Sequence, residues 1–214
     1  MFSAAIFDMD GLLLDSERCL MNAWLAAALA HGRPLTEEDF LYTVGRNASE
    51  SRDRLIHLLG SETEYRAVQR VVFDRLGPES ERVFPLKPGA IAVLELLSKM
   101  RVPCAVASST HTKEIRRRLA AVDVLHHFLA VAGSDEVSRG KPDPAVYELA
   151  ARRIDAEPSA CLVFEDSENG ANAALRAGMA VVVIPDIRAP QISRALAVLP
   201  SLYAAVLHLG DWFS

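Results

Sequence analysis

Short apolar runs alternate with amphipathic stretches along most of this chain. Ala4-Ala5-Ile6-Phe7 is wholly apolar and gives way to acid and glycine, which predicts a buried strand. Beyond it the pattern changes to a 3.6-residue period. Over 19–31, Leu20, Trp24, Leu25, Ala28 and Leu29 share one helical face. Gly32, Arg33 and Pro34 end that helix, and Thr36 followed by Glu37, Glu38 and Asp39 starts another. The stretches 51–59 and 63–76 also read as helical, and strand patterns are nearly absent from 16 to 84.

Pro85-Leu86-Lys87-Pro88-Gly89 is a connecting segment. After it the two patterns alternate: helix over 90–100, strand 102–107, helix 113–121, strand 128–132, helix 144–154, strand 161–164, helix 169–177, strand 181–184. Such alternation predicts right-handed crossovers and a mostly parallel sheet. The expected architecture is therefore α/β, a Rossmann-like doubly wound core. Residues 1–15 and 85–214 form this core, and an α-helical domain over 16–84 is inserted in its first crossover.

Length agrees with that division. At roughly 150 residues per domain, 214 residues accommodate one such core and a modest insertion, and half of them are hydrophobic. The 23 basic and 28 acidic residues leave a net charge of −5, which is not the electrostatic footprint of a nucleic-acid binder. The one dense basic run, Arg116-Arg117-Arg118, reads as a solvated helix face. Cys19, Cys104 and Cys161 are odd in number and far apart, which argues against a disulfide framework and for a reducing compartment, so a cytoplasmic location is expected. The N-terminus lacks the basic start of a signal peptide, and no apolar run approaches the ~18 residues that span a bilayer. Neither nucleic acid nor membrane is an expected partner, and the chain is expected to be a monomer.

Ligands of open α/β sheets collect beyond the carboxyl ends of the strands. There the chain offers Asp8-Met9-Asp10-Gly11 after the first strand and Ser108-Ser109-Thr110 after the second. Lys141 follows the third strand, and Glu165-Asp166-Ser167 the fourth. Taken singly, each is an ordinary turn, cap or surface residue. Together they fit phosphoryl transfer. Asp8 is a candidate nucleophile, since a carboxylate can accept a phosphoryl group. Crowded carboxylates call for a cation, and oxygen ligands beside a phosphate suit Mg²⁺. Ser108 with nearby backbone N–H groups and Lys141 can hold the phosphate, and Asp10 is placed to act as general acid and base.

Asp8-Met9-Asp10-Gly11-Leu12-Leu13-Leu14-Asp15-Ser16-Glu17, Ala107-Ser108-Ser109, Gly140-Lys141-Pro142-Asp143 and Phe164-Glu165-Asp166-Ser167-Glu168-Asn169-Gly170 resemble, in order, the four motifs of the haloacid dehalogenase-like hydrolases. The pattern is most similar to the sugar-phosphate phosphatase and β-phosphoglucomutase-like branch, whose helical cap lies between the first two motifs. The resemblance implies that Asp8 is nucleophile and metal ligand, and that Asp10 is acid/base and a ligand through its backbone carbonyl. It implies phosphate binding by Ser108, beside Ser109, and by Lys141. Asp166 becomes a further ligand, with Glu165 a ligand or its support, and Mg²⁺ the cofactor.

The expected activity is hydrolysis of a small phosphorylated metabolite, a sugar or polyol phosphate, through an aspartyl-phosphate. A phosphosugar mutase is the alternative. However, Leu20 stands where the β-phosphoglucomutases carry a histidine, and Val44 and Ala48 stand where they carry lysine and arginine. Arg46 and Asn47 in the same loop are candidate substrate contacts. A receiver-like signalling module would share the aspartate, hydroxyl and lysine, but receivers are shorter and have no helical insertion after the first strand. His126-His127 reads as loop surface, and Trp24 as packing.

Overall fold

The computed structural model describes residues 1–43, 48–78 and 81–213. The chain forms two compact units, one of Met1–Asp15 with Phe84–Ser214 and the other of Ser16–Val83.

The first unit is built on six parallel strands: β1 (Ala4–Phe7), β2 (Cys104–Ala107), β3 (Ala130–Ala132), β4 (Cys161–Glu165), β5 (Ala180–Val183) and β6 (Ala197–Val198). Their order across the sheet is β3-β2-β1-β4-β5-β6. β1 through β4 are buried along their whole length, which explains why they read as continuous Ala/Val/Ile/Phe runs rather than alternating ones. Phe7 and Phe164, opposite one another in register, stack with ring centroids 4.8 Å apart, a contact contributing about 0.5–1.5 kcal/mol beyond burial. The order reverses direction between β1 and β4, and the carboxyl ends there carry Asp8 and Asp166.

The second unit is helical: α1 (Ser16–Ala30), α2 (Glu37–Leu41), α3 (Ala48–Leu59) and α4 (Glu62–Leu76). Thr36 caps α2 with a reciprocal box, its Oγ1 accepting from Asp39 N while Asp39 Oδ2 accepts from Thr36 N. Ser61 caps α4. Ala27, Ala28, Leu55, Leu59, Tyr65 and Val68 form this unit's own core. Trp24 stacks on Tyr65 at 5.6 Å, a packing role as its helical spacing predicts.

Helices α5 (Ala90–Lys99), α6 (Thr112–Ala121), α7 (Ala145–Arg153) and α8 (Glu168–Arg176) connect the strands. Observed bounds lie within a few residues of the predicted ones; a 3₁₀ turn, Leu125–His127, precedes the third strand, which is confined to β3. The His126 and His127 rings lie tilted against each other there, centroids 4.2 Å apart, with His127 Nδ1 3.0 Å from Ser98 Oγ. The sequence reading stops at 184, yet β6, α9 (Leu202–Val206) and α10 (Leu209–Phe213) follow. Two-residue strands and five-residue helices are too short to show a period. Among the described residues, no helix is long and apolar enough to cross a membrane. Cys19, Cys104 and Cys161 are free thiols.

Candidate active site

Lys141 organises the edge between β1 and β4. It arrives from the loop after β3, is almost fully buried, and its ammonium has three acceptors for its three protons. Nζ donates to Asp8 Oδ1 (2.5 Å), Glu165 Oε1 (2.8 Å) and Ala107 O (3.0 Å). Its charge also lies 4.8 Å from the centre of the Tyr147 ring. Burial alone would favour the neutral amine, but Asp8 and Glu165 outweigh it and hold the lysine charged, well above its ordinary range.

Carboxylate oxygens of Asp8, Glu165 and Asp166 lie within 4.8 Å of one another, and all three residues are buried or nearly so. One lysine cannot neutralise three acids. Burial, with Glu165 adding repulsion, pushes the Asp8 carboxyl up to about 8 against the pull of Lys141. Asp166 is raised well above the carboxylate range by burial, then by Glu165 and Asp8. Such a trio is relieved by a cation, and its all-oxygen donor set is the kind that hard divalent cations take.

Glu165 differs from the other two. Burial would raise it, but Lys141 and its hydrogen bonds prevail and its pKa is lowered. Oε1 accepts from Lys141 and from Tyr147 OH (2.8 Å). Oε2 accepts from Asp166 N, Ser167 N and Ser167 Oγ, each at 2.9 Å. Five donors occupy this carboxylate, which ties it both to Lys141 and to the backbone that leads into α8.

Two glycines make room for these acids. A Cβ on Gly170, in the first turn of α8, would lie 1.5 Å from Glu165 Oε1; one on Gly11 would lie 2.4 Å from Asp166 Oδ2. Gly11 also has φ +85°, which disfavours other residues. Gly170→Ala is expected to displace Glu165 and lower stability by about 3 kcal/mol or more, because Lys141 loses a buried partner. Chemical denaturation checks this; a variant within 1 kcal/mol of the native protein would contradict it.

Ser108, at the end of β2, is buried, its Oγ accepting from Thr110 N (3.1 Å). Its neighbour Ala107 binds Lys141, so Ser108 belongs to the same edge, whereas Ser109 is exposed. The Asp10 side chain leaves the acidic trio: Thr110 Oγ1 donates to its Oδ2 (2.8 Å) and Arg118 Nη1 to its Oδ1 (2.9 Å). Arg118 corrects the reading of the basic run, since it is buried on the inner face of α6 while Arg116 is exposed. Arg46 and Asn47 lie outside the described residues.

Sequence reasoning missed Tyr147 and Asp186. Tyr147 has the spacing of a core residue on α7, and nothing in its neighbours signals the buried hydroxyl contact. Asp186 follows β5 just as the other acids follow theirs, so continuing the survey of strand ends to the fifth strand finds it. Lys87 pairs with Asp186 and lies 3.5 Å from Asp15. Asp186 adds to the negative field on Asp166.

Comparison with known proteins places this geometry in context. A family model described as haloacid dehalogenase-like hydrolase matches residues 2–178. A phosphorylated carbohydrates phosphatase from Thermotoga maritima is 34% identical over 180 residues, 82% of each chain. The validoxylamine A 7'-phosphate phosphatase of Streptomyces hygroscopicus subsp. limoneus is 32% identical over 180 residues, 84% of each. A HAD family hydrolase from Deinococcus radiodurans R1, crystallised with phosphate and sodium, superposes with a TM-score of 0.82 at 23% identity, covering 99% of this chain and 97% of that one.

Proposed function

The chain belongs to the haloacid dehalogenase-like hydrolases, and from that premise we propose that it is a Mg²⁺-dependent phosphatase of sugar or polyol phosphates, with its catalytic residues at the β1–β4 edge. The observation that carries this reading is Lys141 bound to Asp8, whose carboxylate lies within 4.8 Å of those of Glu165 and Asp166 at one buried edge. The two phosphatase relatives support the substrate class.

Asp8 attacks phosphorus with a carboxylate oxygen. The bond to the ester oxygen breaks, and Asp10 delivers a proton to that oxygen, releasing the alcohol and leaving an aspartyl-phosphate. Asp10, now a carboxylate, takes a proton from water, whose oxygen attacks phosphorus; the bond to Asp8 breaks and phosphate leaves. The charge of Lys141 stabilises the transferring phosphoryl group, and Ser108 holds one of its oxygens. Asp8, Asp166 and the backbone carbonyl of Asp10 would hold Mg²⁺, which offsets charge between the phosphate dianion and the anionic nucleophile. Glu165 keeps Lys141 in place. The helical unit acts as a cap, with Arg46 and Asn47 as substrate contacts. The chain acts in the cytoplasm as a monomer, and its three free thiols suit that reducing compartment.

Phosphate release from a panel of phosphorylated metabolites tests the reading. Free phosphate should appear from sugar or polyol phosphates, stop on chelation with EDTA and return with Mg²⁺. Isomerised product without free phosphate, or EDTA-resistant turnover, would refute it.

A further inference from the structure

We infer that Arg118 is a positioning residue for Asp10, fixing Oδ1 as a permanent acceptor so that Oδ2, facing Thr110, is the oxygen that gives and takes the proton. This rests on the acid/base role of Asp10 in the reading above.

Arg118 sits on the buried face of α6 with Ile115 and Leu119. A buried guanidinium is costly unless paired, and this one is shared between two carboxylates. Nη1 donates to Asp10 Oδ1 at 2.9 Å and Nε to Glu114 Oε1 at 3.0 Å. The guanidinium also packs over the Phe84 ring, 5.2 Å from its centre. Contacts with Asp10, with Glu114 on its own helix and with Phe84 thus help set its position.

Arginine has donors only and keeps its charge. An oxygen facing it can accept a hydrogen bond but cannot carry a proton toward it. The hydroxyl of Thr110, 2.8 Å from Oδ2, can either donate or accept. It donates while Oδ2 is bare, and rotates when Oδ2 holds the proton. The two oxygens of Asp10 thus have unequal partners, one fixed and one adaptable. The asymmetry orients a single O–H toward the leaving oxygen.

The test compares kcat/KM in Mg²⁺ buffer for glycerol phosphate, whose alkoxide leaving group needs a proton, with p-nitrophenyl phosphate, whose phenolate leaves without one. Asp10→Asn sets the scale and should lower the glycerol-to-aryl ratio strongly. Arg118→Met should lower that ratio about 10-fold or more, a part of the 10²–10⁴ that a general acid contributes, and Arg118→Lys should recover most of it. A merely structural Arg118 would depress both substrates equally. An unchanged ratio in Arg118→Met, whether or not overall activity falls, overturns the inference. If Arg118→Met does not fold, Thr110→Val must show the lowered ratio, and an unchanged ratio there overturns it equally. If Asp10→Asn itself leaves the ratio unchanged, the acid/base role of Asp10 fails, and the inference fails with it.

Discussion

Asp8→Asn is expected to reduce turnover by about 10⁴-fold or more, on the scale seen when a covalent nucleophile is removed, with the fold retained. The amide has nearly the shape of the carboxylate and can still accept from Lys141. It cannot form an acyl phosphate, so the first chemical step has no acceptor. The substitution also removes one of three acids that crowd the β1–β4 edge, so no loss of packing offsets the relief of repulsion. Phosphate release and thermal melting, measured on the same preparation, separate the two effects. Activity within 100-fold of native would remove Asp8 from its proposed role, and a collapsed Tm would make it a structural residue.

Lys141→Met is expected to damage both properties. All three ammonium protons of Lys141 are engaged, and Asp8 and Glu165 would be left buried without it. Breaking one side of a buried ion network costs about 3–5 kcal/mol, which for a chain of this size lowers Tm by about 6–20 °C. Loss of a cation at the transferring phosphoryl group costs a further 10²–10³ in rate, as for an oxyanion-stabilising donor. Lys141→Arg should not rescue, because a planar fork cannot direct three protons to acceptors spread around one point. Melting and steady-state rates decide it. A variant as stable and active as the native chain would mean that Lys141 neither anchors Asp8 nor serves catalysis.

Much of this was legible from residue pattern. Buried parallel strands read as apolar runs because both faces are covered, and their ends coincide with the acids, hydroxyls and lysine of the four strand-end segments. What escaped had physical reasons. Arg118 follows two other arginines, and only the rotation of α6 separates its buried position from the exposed Arg116. Tyr147 has the spacing of a core side chain, and its hydroxyl contact with Glu165 is made across the sheet edge. Asp186 stands just beyond β5 and belongs to none of the four motifs. Elements after 184 are too brief for periodicity. The five donors on Glu165 come partly from backbone N–H groups, which no side-chain pattern reports.

The placement of β1 has a consequence for synthesis. This first strand is the middle of the sheet, and its neighbours begin at Cys104 and Cys161. On the ribosome it emerges before either neighbour and waits, apolar and unpaired on one flank, until translation passes Glu165. The segment 16–83, with a core drawn from its own residues, has all its partners long before. Assembly therefore closes around a strand made before both of its neighbours, and non-local pairing of this kind is slow. A stop codon before Cys161 leaves Asp8 on an open edge, exposed to intermolecular strand pairing.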